Sequence, residues 1–177
     1  MTRRNDSLKT DLLELKVELL CNGAKLRTTI DRGRKAGAGP SGGRYILLPN
    51  GSGVNVALWG NFVKESMWEL TMESEDYFLH RSNGDKKIPV ELIPNPNFYK
   101  EKTSDGTPMW KVALLHGTDC LATTIYQRCT HWNTGKKCKF CGIELSLESQ
   151  TAISVKKPHQ FREVVEAAVK ENACNHI

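Results

Sequence analysis

Five short segments between Arg44 and Ile93 constrain the fold of this chain more than any other feature. Arg44–Leu48, Val54–Trp59, Trp68–Glu73, Tyr77–Arg81 and Lys87–Ile93 are rich in β-branched and aromatic residues. Turn signals separate them, at Asn50-Gly51 and at Asn83-Gly84-Asp85. Short runs of this composition, spaced by tight turns, predict a small antiparallel sheet, a meander or half-barrel. Before it, residues 7–20 predict a helix, because Leu8, Leu12, Leu15 and Leu19 recur at three- and four-residue intervals. Asp6 or Ser7 can cap its start and Gly23 can end it. The glycine-rich run 31–43 must be loop. It lacks the Gly-Lys-Ser/Thr ending of a phosphate-binding loop. It is either a flexible connector or a backbone that lies close to a ligand.

Pro94, Pro96 and the polar stretch Lys100–Gly106 break the strand pattern. They predict a linker and a domain division, with residues 1–107 forming a helix and small β domain and 108–177 a second region. In that second region Trp110–Leu115 and Leu121–Gln127 are apolar, and a long polar loop follows. Glu144–Ser149 and Thr151–Val155 come next. Pro158 then suits the first position of a helix whose apolar face carries Phe161, Val164, Val165, Ala168 and Val169. Ala173–Ile177 reads as the start of another strand. Strand, long loop, helix and strand start, in that order, predict the first unit of a parallel β/α array. In β/α barrels the loops after the strands carry the active site.

That loop holds Cys129, Cys138 and Cys141, spaced C-x8-C-x2-C. Three thiolates so close in sequence can converge on one metal site, and three protein ligands leave a position open for chemistry. Three assignments compete. One is an iron–sulfur cluster with one iron open to an outside ligand. Another is zinc, held by the three cysteines and a histidine such as His131, although only one C-x2-C knuckle is present. The last is a set of structural or incidental thiols. The remaining cysteines, Cys21, Cys120 and Cys174, are scattered. No secretory leader is apparent at Met1–Asp6, so reduced thiols fit better than a disulfide framework.

Composition excludes some classes of function. No apolar run approaches the eighteen or so residues of a membrane helix. The net charge of +5 and pI of about 8.9 come partly from residues 1–36 and from Lys136, Lys137 and Lys139. A nucleic-acid footprint normally shows a denser basic stripe with aromatic platforms, so nucleic acid is not the expected partner.

Cys138-Lys-Phe-Cys141 resembles the end of the radical S-adenosylmethionine (radical SAM) signature, in which an aromatic residue precedes the last cysteine. The common form is C-x3-C-x2-C, and the eight-residue first spacer departs from it. The flanking text, His116-Gly-Thr-Asp-Cys-Leu-Ala-Thr-Thr before the loop and Cys141-Gly-Ile-Glu-Leu-Ser-Leu after it, resembles the branch found beside a nitrilase in bacterial gene clusters. The resemblance covers all 177 residues but not the whole length of that family.

The resemblance implies that Cys129, Cys138 and Cys141 ligate a 4Fe-4S cluster. Its open iron would bind S-adenosylmethionine through the amino and carboxylate groups. Reductive cleavage would then release a 5′-deoxyadenosyl radical that abstracts hydrogen from a small-molecule substrate. Phe140 matches the aromatic residue near the adenine, with a core aromatic as the alternative. A flavodoxin or ferredoxin would supply the electron, in the cytoplasm. The expected fold is an α+β N-terminal region followed by the first β/α unit of a partial TIM barrel. A full barrel needs about 200 residues or more, far more than follow Leu121. The chain is therefore expected to be an N-terminal fragment, inactive alone; a small zinc-binding interaction module without catalysis is the alternative. His131 and Trp132 either shield the cluster or fill space. Cys120 is a further ligand or redox thiol, or a buried small residue. Glu144 binds S-adenosylmethionine or caps a turn. His176 could line the barrel.

Overall fold

The computed structural model describes residues 2–30, 43–84 and 86–177, with side chains from Asp11 onward. The glycine-rich run 31–42, the capping assignments at Asp6 and Ser7, and the side chain of Leu8 lie outside the described residues. The described chain divides into two compact units between Ile93 and Pro94.

The first unit is a helix and a curled mixed sheet. Helix α1 spans Thr2–Asn22 and places Leu12, Leu15 and Leu19 in the core. Gly23 ends it in the left-handed region at φ 65°, with its N–H donating to Leu19 O at 2.9 Å. A Cβ at Gly23 would meet Ala57 O at 2.3 Å, so glycine is required for space as well as for φ. The buried Ser66 hydroxyl donates to Gly23 O at 2.7 Å and satisfies the helix end from the sheet side.

The strands are β1 (Lys25–Leu26), β2 (Gly43–Leu47), β3 (Gly53–Ala57), β4 (Trp68–Glu73), β5 (Asp76–Arg81) and β6 (Lys87–Leu92), arranged in the order β1-β4-β5-β6-β2-β3. All pairings are antiparallel except β1 with β4, which is parallel. The short β1 lies outside the predicted meander and turns an antiparallel sheet into a mixed one. Alternate residues Ile46, Val54, Val56, Trp68, Leu70, Leu79 and Ile88 point to the core against α1. Trp68 Nε1 donates to Glu18 Oε2 at 2.5 Å and ties helix to sheet. β2 joins β6 only at Glu91 and Leu92, which leaves Pro89 with a strand on a single side.

The predicted Asn50-Gly51 turn forms. Gly51 has φ 75°, and Asn50 Oδ1 accepts from Ser52 N and Oγ at 3.0 and 2.7 Å. A second turn carries no such signal. Ser74 and Glu75 link β4 to β5 with φ of 49° and 77°, the type I′ pattern usually given to Asn-Gly.

The second unit has little regular structure. Short 3-10 turns lie at Asn97–Lys100 and Met109–Lys111. A two-stranded ribbon follows, β7 (Leu114–His116) with β8 (Cys120–Ala122), then a single turn α2 (Leu145–Glu148) and helix α3 (Pro158–Lys170). Phe98, Met109, Val112, Leu121, Val164 and Ala168 form the core. Pro158 starts α3 as expected, and Asn172 at φ 55° ends it, with Ala173 N donating to Ala168 O at 2.8 Å. Beyond α3 the chain returns to β8. Cys120 and His176 form a parallel bridge, and Leu121 N donates to His176 O at 2.8 Å.

The polar stretch 100–106, expected as a linker, is bound to α3. Ser104 N and Oγ donate to Glu163 at 2.6 and 2.7 Å. Asn97 and Phe98 N–H groups donate to the Glu171 carboxylate at 2.8 and 3.0 Å. Asp105 accepts from Thr103 Oγ1 at 2.7 Å, Thr107 N at 3.3 Å and Gln160 Nε2 at 2.9 Å. Polar residues marked this stretch as exposed. Here Ser104 donates to a carboxylate on a helix distant in sequence, and Asp105 accepts from that same helix.

Replacing Ser74-Glu75 by Asn-Gly should stabilise the first unit by about 1–2 kcal/mol, because those residues enter the left-handed region at lower cost. Urea denaturation followed by circular dichroism measures this. In the second unit, hydrogen bonds from Thr103 and Thr107 hold the Asp105 carboxyl well below the usual carboxylate range. A depressed folded-state value means the stabilisation is present above the unfolded value of about 3.9 and is lost as pH falls below it. The urea midpoint of Asp105→Asn should therefore fall less between about pH 5.5 and about pH 3 than that of the wild type.

Candidate functional site

The cysteine loop leaves β8 through Gln127 and ends in α2. Gln127 is buried, and its N–H donates to Ser154 O at 2.7 Å. Its side-chain amide donates to Ser146 Oγ, and Ser146 Oγ donates to Ile143 O at 2.7 Å. Glu144 fastens the two ends of the loop together, its Oε1 accepting from Cys129 N at 2.9 Å. The Glu144 side chain does not cap its own turn; its carboxylate closes the loop.

Between these anchors the loop is a series of tight turns. Trp132 N donates to Cys129 O at 3.1 Å, and Thr134 N to His131 O at 3.4 Å. Gly135 turns at φ 74°. Cys141 N donates to Cys138 O at 3.1 Å, which closes the C-x2-C pair into a knuckle. Lys137 Nζ sits 4.5 Å from the Trp132 ring centroid, a cation–π contact that occupies Trp132 within the loop.

All six cysteines are free thiols; Cys138 is exposed, and Cys129 and Cys141 are half-buried. Among the described residues no group of three or more His, Cys, Asp or Glu side chains is gathered as a metal would require. The loop thus carries the three thiols without drawing them to one point, and His131 does not complete a fourth position. The donor set is nevertheless the one soft metals take: accessible thiols, none spent on a disulfide.

Phe140 lies between the two cysteines of the knuckle and is 93% exposed. It is not a core aromatic. Cys120 lies in β8, opposite His116 in the ribbon and beside His176 in the parallel bridge. Cys174 is buried in the core, and burial pushes its thiol up from the ordinary value. His176 Nε2 is 3.5 Å from Asp119 Oδ1.

One feature of this region had no sequence signal. Lys156 is 4% exposed and donates from Nζ to Gln127 Oε1 at 2.8 Å and Ile153 O at 2.9 Å. Burial pushes its ammonium down to about 8. Nothing in Lys156-Lys157-Pro158 distinguishes the buried lysine from the exposed one.

No protein-family model, curated protein or solved structure matches this chain. Among the described residues no helix is long and apolar enough to cross a membrane.

Glu144→Ala should speed amide exchange at Cys129 by about tenfold or more, since a hydrogen bond to a charged group contributes about 1.5–3 kcal/mol. Glu144→Gln, which keeps an acceptor, should change it much less. Hydrogen exchange read by NMR separates the two.

Proposed function

We propose that the loop from Cys129 to Cys141 binds a 4Fe-4S cluster and that the chain carries the cofactor-binding part of a radical SAM enzyme. The observation that carries this reading is the position of the three thiols. They sit on an accessible loop between β8 and the single turn α2, and the chain beyond the next helix, α3, returns to β8 at the parallel bridge of Cys120 and His176. A strand–loop–helix unit with parallel return is the repeating element of β/α enzymes, which place reactive groups on the loop after the strand.

Cys129, Cys138 and Cys141 would hold the cluster, which when bound supplies the electron that cleaves S-adenosylmethionine. The Cys138–Cys141 turn sets two donors close together, and Glu144 holds Cys129 at the near end of the same loop. Phe140, exposed between the ligands, would offer its ring face to the adenine of S-adenosylmethionine. A soluble one-electron donor such as a flavodoxin or ferredoxin would reach the site, in the cytoplasm. The substrate would be a small molecule.

Anaerobic reconstitution with iron and sulfide tests the reading. The expected product is brown, with about four irons per chain. Changing any one of Cys129, Cys138 and Cys141 to Ala should abolish most of the incorporation, whereas Cys21→Ala should not. A colourless protein that instead retains one equivalent of zinc would overturn the reading in favour of a zinc-binding interaction module.

A further inference from the structure

We propose that a cavity in the second unit binds a small organic anion, a carboxylate with an apolar body, whose head-group pairs with Lys156. The cavity has a volume of about 290 Å³, near the lower bound of small-molecule sites. Trp110, Leu114 and Ile143 contribute apolar wall, and Gln127, Lys111 and Lys156 contribute polar wall. Among the described residues the wall contains two lysines and no carboxylate.

Lys156 is the group that calls for a ligand. Its ammonium is buried, and its hydrogen-bond partners, Gln127 Oε1 and Ile153 O, are both neutral. An ammonium has three N–H donors, and these two acceptors take two of them. No Asp or Glu forms an ion pair with it among the described residues. Buried charges are ordinarily paired, because an uncompensated one loses its hydration without recovering it from a counter-charge. Burial lowers its proton affinity, the direction expected of an ammonium that no carboxylate among the described residues pairs.

The geometry around it is built. Gln127 cannot turn away, because its amide nitrogen is committed to Ser146, whose hydroxyl is committed in turn to Ile143 O. Gln127 Oε1 therefore holds the ammonium in place at the wall. Of the two lysines only Lys156 is buried, and one buried positive group beside an apolar surface suits a monoanion better than a dianionic phosphate, which is more strongly hydrated. The inference stands on the cavity and does not require a metal at the cysteine loop.

NMR titration of the full chain with hexanoate, hexanol and inorganic phosphate tests it. Hexanoate should shift the amide resonances of Gln127, Ile143 and Lys156, and hexanol should bind about tenfold more weakly or worse. Lys156→Met, which fills similar space without charge, should weaken hexanoate binding by about tenfold or more. Equal binding of hexanoate and hexanol overturns the proposal, as does tighter binding of phosphate or unchanged affinity in a folded Lys156→Met variant. The comparison of hexanoate with hexanol needs only the wild-type chain, so it decides even if the variant does not fold. Failure of the cluster reading would appear separately, as absent iron with hexanoate binding intact.

Discussion

The backbone pairing of β8 with the residues after α3 is the contact on which the second unit depends. Leu121 N to His176 O and Asn175 N to Asp119 O, both 2.8 Å, close a strand–loop–helix circuit whose regular elements are otherwise short. Inside that circuit Gln127 N donates to Ser154 O at 2.7 Å and Lys156 N to Ile125 O at 2.9 Å, so the cysteine loop leaves and rejoins a defined frame. A ribbon of three-residue strands would be marginal alone. It is held here because α3 buries Val164 and Ala168 against Leu121, Phe98 and Met109.

Polar residues do much of the remaining organisation. Glu163, Glu171 and Asp105 bind the segment 97–107 to α3 or to its own turn, and Glu144 joins Cys129 to the start of α2. Each carboxylate satisfies backbone N–H groups that irregular structure would otherwise leave unpaired. This is how a unit with little helix and strand keeps a defined course. The cavity beside Lys156 results from it: the turn 109–111, the ribbon and the segment 143–156 are each anchored, and among the described residues they leave a gap between them.

The cysteine loop combines firm ends with accessible thiols. Gln127 and Glu144 hold its termini, while Cys138, Lys139 and Phe140 face solvent. An exposed aromatic between two thiols loses favourable burial. That loss is offset if a cofactor or partner covers the ring, which is the arrangement the proposed function requires.

Periodicity in the sequence determined α1, α3 and the positions of strands β2 to β6, because hydrophobic repeats at 3.6 and at 2 leave few alternatives, whereas the order β1-β4-β5-β6-β2-β3 was set by tertiary pairing. Gly23 and Asn50-Gly51 were legible for a similar reason: backbone in the left-handed region favours these residue types. The turn at Ser74-Glu75 was not, since neither residue favours the conformation that the flanking strands impose on it. Parallel pairing of β1 and the anchoring of 97–107 were also decided by tertiary contacts, made by residues whose local composition reads as loop. In the functional region the sequence supplied the three thiols and their spacing. Only the fold determined that Phe140 is bare, that Glu144 closes the loop, and that Lys156, one of two adjacent lysines, lies buried beside a cavity. Burial depends on what the rest of the chain places around a residue, and no local pattern encodes it.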